Sequence, residues 1–564
     1  MHDLATFREG LNIRTENSRD NCFCVDATRG IILELLDFGW DCLGDSPPFC
    51  GGWINRIPRP NNRFVTTTKA RSITMKILRT CGIAVLVLVI GCGLAAGQTP
   101  FSAGQWTRAT TPPQPGVGHA LLLTDGSVLA ISGNCNAGTG RWYRLVPDST
   151  GSYVNGTWKS GGTLPAGYNP LYFASAVLPS GNVIIMGGEY NACVGAETTL
   201  GAMYFARANH WTSVAAPPGW SSVGDAASVV LPNGKFMLAN CCTSDEAIAT
   251  VGTSVTWTPT GTGKADANSE EGWLLLPGGN VLTVDANNLA NLTNSEIYNT
   301  KTGTWATAGS TVVRLDDTST PTNSHEVGPM VLRPDGTVFA AGATTNNAVY
   351  TIATGKWTAA PKFGGALDVA DGPAALLPDG NVLLDASPGI YKNGSVFFEW
   401  DGSALNSVPG VPNGPGEPSY AGNMLVLPTG QILFTDGSAD VEIYTSSGSP
   451  CSGCAPSIAS VASTLALGSV NNLIHGMQFN GLSQGGAYGD DAQAATNFPL
   501  IRITDSTGAV VYCRTHNFST MGVATGSKIV SAQFDVPSSV ATGSATLEVV
   551  ANGIASSAMA VTIN

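Results

Sequence analysis

Charged side chains are scarce in this sequence: Asp, Glu, Lys and Arg make up 12% of 564 residues, against about 25% in ordinary globular chains. That excludes a coiled coil, whose outer faces need charge in every heptad. Lys/Arg-rich runs are lacking, and 27 basic residues face 40 acidic ones, so nucleic acid is excluded as a partner on electrostatic grounds. Long apolar runs are confined to one stretch near residue 85. What is plentiful is turn and core material: 68 Gly, 33 Pro, 12 Trp and 43% hydrophobic residues. Such a composition supports a sizeable core and argues against wholesale disorder. It also directs attention to repeats.

Residues 75–97 read MKILRTCGIAVLVLVIGCGLAAG. Lys76 and Arg79 precede an apolar stretch that small residues close, which is the pattern of a secretory signal. The stretch is too short for a membrane span. Because a signal belongs at the N-terminus, Met75 is expected to be the true start, with residues 1–74 a non-native, disordered upstream extension. Two export routes stay open. Removal after Ala95-Ala96-Gly97 gives a secreted protein and is favoured; Val89-Ile90-Gly91-Cys92 resembles a lipobox and would leave a lipid anchor at Cys92. The first 97 residues hold 11 basic and 9 acidic side chains, leaving 16 and 31 in the exported part. Its seven Cys, at 135, 193, 241, 242, 451, 454 and 513, would meet an oxidising compartment, and an odd count leaves one unpaired.

One pattern recurs seven times: an apolar run, a turn with Gly, a second apolar run. Examples are HALLLTDGSVLAISG at 119 and GPAALLPDGNVLLDA at 372. Each reads as a β-hairpin. The turn glycines 126, 181, 234, 279, 336, 380 and 430 are spaced by 55, 53, 45, 57, 44 and 50 residues, near the kelch period of about 50. Trp106, Trp158, Trp211, Trp257, Trp305, Trp357 and Trp400 recur at a second phase and are expected to pack between sheets from the fourth strand of each. Two coincident phases predict seven four-stranded blades. Trp106 precedes the first hairpin and no Trp follows the last, so the N-terminal strand should complete the seventh blade.

Residues 449–456 form a small-residue linker, in which Cys451 and Cys454 are expected to form a local disulfide. Alternating strands fill 457–564. The fold class expected is therefore all-β: a seven-bladed kelch-type β-propeller over 98–448 followed by an Ig-like (E-set) β-sandwich over 457–564.

Nine or ten places before each turn glycine stand Val117, Tyr172, Asp225, Glu270, Glu326, Asp371 and the pair Tyr420-Ala421. In a propeller these positions rim the mouth of the central channel. Asp225, Glu270, Glu326 and Asp371 are the candidate ligand-binding residues, since carboxylates suit sugar hydroxyls or hard cations.

The repeat architecture, together with GYNPLYFASAVLPSG, PSYAGNMLVLPTG and CRTHNFSTMGV, resembles galactose oxidase and the related glyoxal oxidases, secreted copper radical oxidases, over nearly all of 105–564. The resemblance implies a copper held by two Tyr and two His, one Tyr being thioether-linked to a Cys. Tyr172 and Tyr420 match the two tyrosines, catalytic if this is an oxidase, and His516 matches the histidine delivered by the sandwich. Ala421 stands where the second His belongs and Val117 where the Cys belongs. His119 and His325 are conceivable substitutes.

Cys135 and Cys193 follow the second strands of adjacent blades and are expected to pair. The insertion 481–499, GLSQGGAYGDDAQAATNFP, carries calcium-type groups in Asp490 and Asp491 but no EF-hand spacing, and is read as a plain surface loop or one packing on the propeller face. The expected function is that of an exported, non-oxidase binding protein for carbohydrate, peptide or cation at the channel mouth, with calcium or copper as the metals its residues suggest. The alternatives are a copper radical oxidase of alcohols or aldehydes with an altered ligand set, and a cell-surface structural module.

Overall fold

The structure, a computed structural model, describes residues 101–133, 140–252, 254–317 and 324–564. The expected upstream extension 1–74, the signal-like segment 75–97 with Cys92, and Cys135 lie outside the described residues. Within them the protein is all-β, with two short 3-10 turns and no α-helix. No helix among them is long and apolar enough to cross a membrane.

Seven antiparallel four-stranded sheets follow one another along the chain. The second is typical: Ala174–Val177, Val183–Met186, Gly201–Phe205 and His210–Val214 pair in chain order. Its first two strands are wholly buried, while the fourth buries only Trp211 and Val214. That gradient explains the sequence: inner strands packed on both faces become continuous apolar runs, and outer strands become polar. Every hairpin turn has the same pair of bonds, as where Leu178 N donates to Asn182 O and Gly181 N to Leu178 O, both 2.8 Å. Gly181 sits at φ 76°, a left-handed conformation that only glycine adopts without strain.

The sixth sheet, Ala374–Leu376 to Leu405–Val408, gains a fifth strand from Gly486–Ala487. The seventh takes Asn423–Val426, Ile432–Thr435 and Glu442–Thr445 from the end of the repeats, and its fourth strand, Gln105–Arg108, from their beginning. Trp106 lies opposite Tyr444 in that pairing, as the position of Trp106 implied.

The tryptophans join each sheet to the one before it. Indole N–H groups donate from Trp158 to Thr110 O (2.8 Å), Trp211 to Gly161 O (3.1 Å), Trp257 to Ala215 O (2.8 Å), Trp305 to Glu246 Oε1 (2.6 Å) and Trp357 to Ser295 Oγ (2.8 Å). Trp106 donates to Pro409 O at 2.6 Å, linking the seventh sheet to the sixth. Each such bond contributes about 1 kcal/mol net, with ring burial adding to it. Trp400 departs from the expected phase. It lies on the third strand of its sheet, Val396–Trp400, and packs by stacking on Phe339 of the fifth sheet, centroids 4.8 Å apart.

Residues 457–564 form two sheets. One holds Ser457–Val461, Asn472–Met477, Val530–Phe534 and Thr515–His516; the other centres on Leu500–Thr504 and Gly543–Ala551. They rest against the hairpin-turn ends of the repeats: Met521 N donates to Pro232 O at 3.0 Å and Asn517 N to Pro179 O at 2.6 Å. Cys451 and Cys454 are joined, Cα atoms 5.6 Å apart. Cys193 is disulfide-bonded; the expected pairing with Cys135 lies outside the described residues. Cys241 and Cys242 form a disulfide between adjacent residues that the sequence reading did not foresee, and Cys513 is a buried free thiol.

Candidate functional site

The chain enters each first strand at the end away from the hairpin turn, and these leading ends carry the candidate residues. Tyr172, Glu270 and Asp371 occupy positive φ (52°, 62° and 49°), a conformation that costs about 1–3 kcal/mol for a non-glycine residue and collects at functional sites. Asp371 N donates to Val327 O at 3.1 Å, tying the leading end of the sixth sheet to that of the fifth. Asp225 follows Gly224, where a Cβ would lie 2.5 Å from Cys241 Sγ. The Cys241–Cys242 disulfide therefore braces the segment that presents Asp225.

The insertion 481–499 is not a surface loop. It is buried almost throughout, Asp490 and Asp491 to 1% and 0% exposure, because it runs among the first strands of several sheets. Gln484 Oε1 accepts from Leu275 N at 2.6 Å, Leu376 N donates to Gly485 O at 2.7 Å, and Ser175 Oγ donates to Gln493 O at 2.9 Å. Tyr488 Oη donates to Tyr420 O at 2.6 Å. This course delivers Asp490 and Asp491 to the leading ends, beside the four predicted acids.

Six carboxylates thus converge. Donor atoms of Asp225, Glu270 and Asp490 all lie within 4.8 Å of one another, as do those of Glu270, Glu326 and Asp371. Among the described residues no salt bridge reaches any of the six. Buried oxygens of Glu326, Asp371, Asp490 and Asp491 have no hydrogen-bond partner. Desolvation, and then the neighbouring carboxylates, push Asp225, Glu270, Asp371 and Asp490 far above the usual carboxylate range. Desolvation also raises Asp491, to about 7, against the pull of its backbone hydrogen bonds. Glu326 accepts a hydrogen bond from Tyr391 Oη.

A second acidic cluster shows what is missing. Lys264 is buried, its side chain 1% exposed, and its ammonium reaches Asp266 (2.5 Å), Glu296 (2.8 Å) and Glu271 (2.9 Å). There the protein supplies its own cation. At the leading ends the described residues supply none, although burying uncompensated charge costs several kcal/mol per group.

Tyr172 and Tyr420 come together, ring centroids 6.5 Å apart, and line a cavity of about 220 Å³ with His119, Glu417, Asn423 and Asp436. The donors for a copper-radical group do not assemble around them. His119 shares the cavity, but its Nδ1 and Nε2 are engaged by Asn423 (3.3 Å) and Ser175 (2.8 Å). His516 lies in the sheet of residues 515–516 and bonds Asp535 Oδ1 at 3.1 Å. Its neighbour Asn517 touches Pro179 at the turn end, seven residues along the second sheet's hairpin from Tyr172, or about 20 Å at strand rise. From the C-terminal part, Asp490 and Asp491 rather than His516 reach the leading ends. His325, at φ 71°, neighbours Glu326 in sequence but belongs to neither carboxylate triad. Val117 is buried in the first strand of its sheet.

Sequence reasoning missed Asp490, Asp491 and Tyr391 as partners of the four acids, and Lys264 altogether. The paired acids in GDDA were the one available signal.

No protein-family model matches the chain, and no curated protein matches it. Among solved structures it is similar to a fungal alcohol oxidase of the AA5 family in complex with copper, at 14% identity and a TM-score of 0.46, over 82% of this chain and 100% of that one. It is also similar to a catalytically inactive virginiamycin B lyase from Staphylococcus aureus with quinupristin, at 9% identity and a TM-score of 0.41, over 61% of this chain and 99% of that one.

Proposed function

We propose that this is an exported seven-bladed propeller with a C-terminal Ig-like sandwich, and that it binds a hard divalent cation, calcium foremost, at the mouth of the propeller channel. The blade reading rests on the seven sheets in series, on the N-terminal strand in the seventh, and on the indole bonds that run from each of six sheets to its predecessor. Export rests on the signal-like segment 75–97 and on the disulfides, which persist in oxidising compartments.

The observation that carries the cation reading is the convergence of six carboxylates with no basic partner among the described residues. Oxygen-only donors suit calcium, which takes six to eight oxygens at about 2.3–2.6 Å. The adjoining cavity of Tyr172 and Tyr420 is open to an oxygen-rich ligand such as a carbohydrate, whose hydroxyls would complete the coordination. A copper radical oxidase is disfavoured because only two of the expected donors meet there.

Calorimetric titration of the chelator-treated protein with calcium tests this. Binding with proton release is expected, because a cation must displace the protons that the raised carboxylates hold. An absence of both heat and thermal shift overturns the reading. Stoichiometric copper with peroxide release from alcohols, lost in Tyr172→Phe, would instead establish the oxidase.

A further inference from the structure

The mouth cluster contains two overlapping triads, and Glu270 belongs to both. We propose that it is a two-ion centre, in which Glu270 bridges one divalent cation held by Asp225 and Asp490 and a second held by Glu326 and Asp371. This rests on the reading of the mouth as a cation receptor and adds the number of ions and their division among the ligands.

Three observations carry it. The first is spacing. Two oxygens on opposite sides of a calcium ion stand about 4.8 Å apart, and each triad fits within that span. A carboxylate has two oxygens, so Glu270 can serve two ions at once.

The second is charge. Six carboxylates give a formal charge of about −6 when ionised; a single dication leaves four unbalanced and two dications leave two. The Lys264 cluster sets three carboxylates around one ammonium in direct contact, a formal excess of about −2, the same excess that two dications would leave here.

The third is the distribution of unpartnered oxygens. Asp490 Oδ2 belongs to the first triad; Glu326 Oε2 and Asp371 Oδ1 belong to the second. Asp491, wholly buried and outside both triads, has an unpartnered Oδ2, and its charge is felt by Asp225 and Asp371 on the two sides. One of its oxygens accepts from Ala492 N at 2.5 Å, and the other, buried and unpartnered, is placed to serve as a further ligand.

The test is ion stoichiometry on the full chain. The chelator-treated protein is equilibrated with calcium, and bound metal is measured by elemental analysis alongside calorimetry. Two ions per chain are expected, falling to one in Glu326→Gln and to one in Asp225→Asn, with far-ultraviolet dichroism reporting that each variant is folded. Manganese-loaded wild-type protein should show the exchange-broadened paramagnetic spectrum of coupled neighbours, a readout that needs no variant. No bound metal in the wild type removes the cation reading as a whole. One ion per chain leaves that reading standing and overturns the two-ion centre. Two ions with an uncoupled manganese spectrum, or two ions retained in both variants, overturn the Glu270 bridge.

Discussion

Gly489 lies directly against Asp371: a Cβ at position 489 would stand 2.1 Å from Asp371 Oδ1. The loop that brings Asp490 and Asp491 into the cluster thus approaches the sixth sheet as closely as a backbone can. Gly489→Ala should push the Asp371 carboxylate out of place and weaken calcium binding by about tenfold or more, since sites tolerate little misplacement of their ligands. Titration calorimetry on the variant measures this, and unchanged affinity would separate Asp371 from the site.

Acidity should act in opposite directions with and without the cation. In the metal-free protein Asp225, Glu270, Asp371, Asp490 and Asp491 have folded-state pKa values above their unfolded ones, about 7 for Asp491. Their contribution to stability is therefore complete below about pH 4 and is lost as pH rises through the folded values. The melting temperature of chelator-treated protein should fall between pH 5 and 8. Saturating calcium should abolish that fall, because affinity grows as the competing protons leave.

Lys264→Met should destabilise the protein by about 3–5 kcal/mol, since removing one partner strands Asp266, Glu271 and Glu296 as uncompensated buried acids. Denaturant unfolding measures the loss. An effect within about 0.5 kcal/mol would mean that the lysine charge does not hold these three acids in place.

Trp305 and Trp400 occupy different environments, and their phenylalanine variants should differ. The Trp305 indole donates to buried Glu246, whereas Trp400 Nε1 has no partner. Trp305→Phe should cost about 1–3 kcal/mol more than Trp400→Phe. Equal costs in chemical denaturation would assign the role of both rings to packing alone.

Much of this organisation is visible in the amino-acid order because it is local. A hairpin needs its glycine at φ near 80°, and buried inner strands need apolar runs, so turns such as that at Gly181 and strands such as Val183–Met186 are legible residue by residue. Asp225, Glu270, Glu326 and Asp371 are legible for the same reason, being fixed in phase to those turns. Asp490 and Asp491 are not. Their Gly-, Ala- and Asn-rich surroundings read as a solvated loop, and only the packing of Gly485, Gly486 and Gly489 against neighbouring backbone and side chains shows why small residues are needed there. His516 misled because its Thr-His context carries no information about which end of the repeats the strand will touch. Trp400 misled because the turn spacing does not reveal which strand of the sheet will hold it.

Removing the segment up to residue 110 should lower the melting temperature sharply. The seventh sheet would lose the strand Gln105–Arg108 and, with Trp106, the edge contacts to Phe397 and Phe434 at 5.1 and 5.8 Å. A scanning calorimetry trace like that of the intact chain would show that the outer strand is dispensable.

The pairing of Gln105 with Thr445 also orders events in time. Gln105–Arg108, the first strand of the described residues, cannot pair until its partner is made, which emerges only after all seven hairpins. Until then the seventh sheet has no outer strand, and both it and the waiting N-terminal strand expose unpaired backbone to other nascent chains. Whatever holds Gln105–Arg108 apart during that interval decides whether the chain closes upon itself or upon its neighbour.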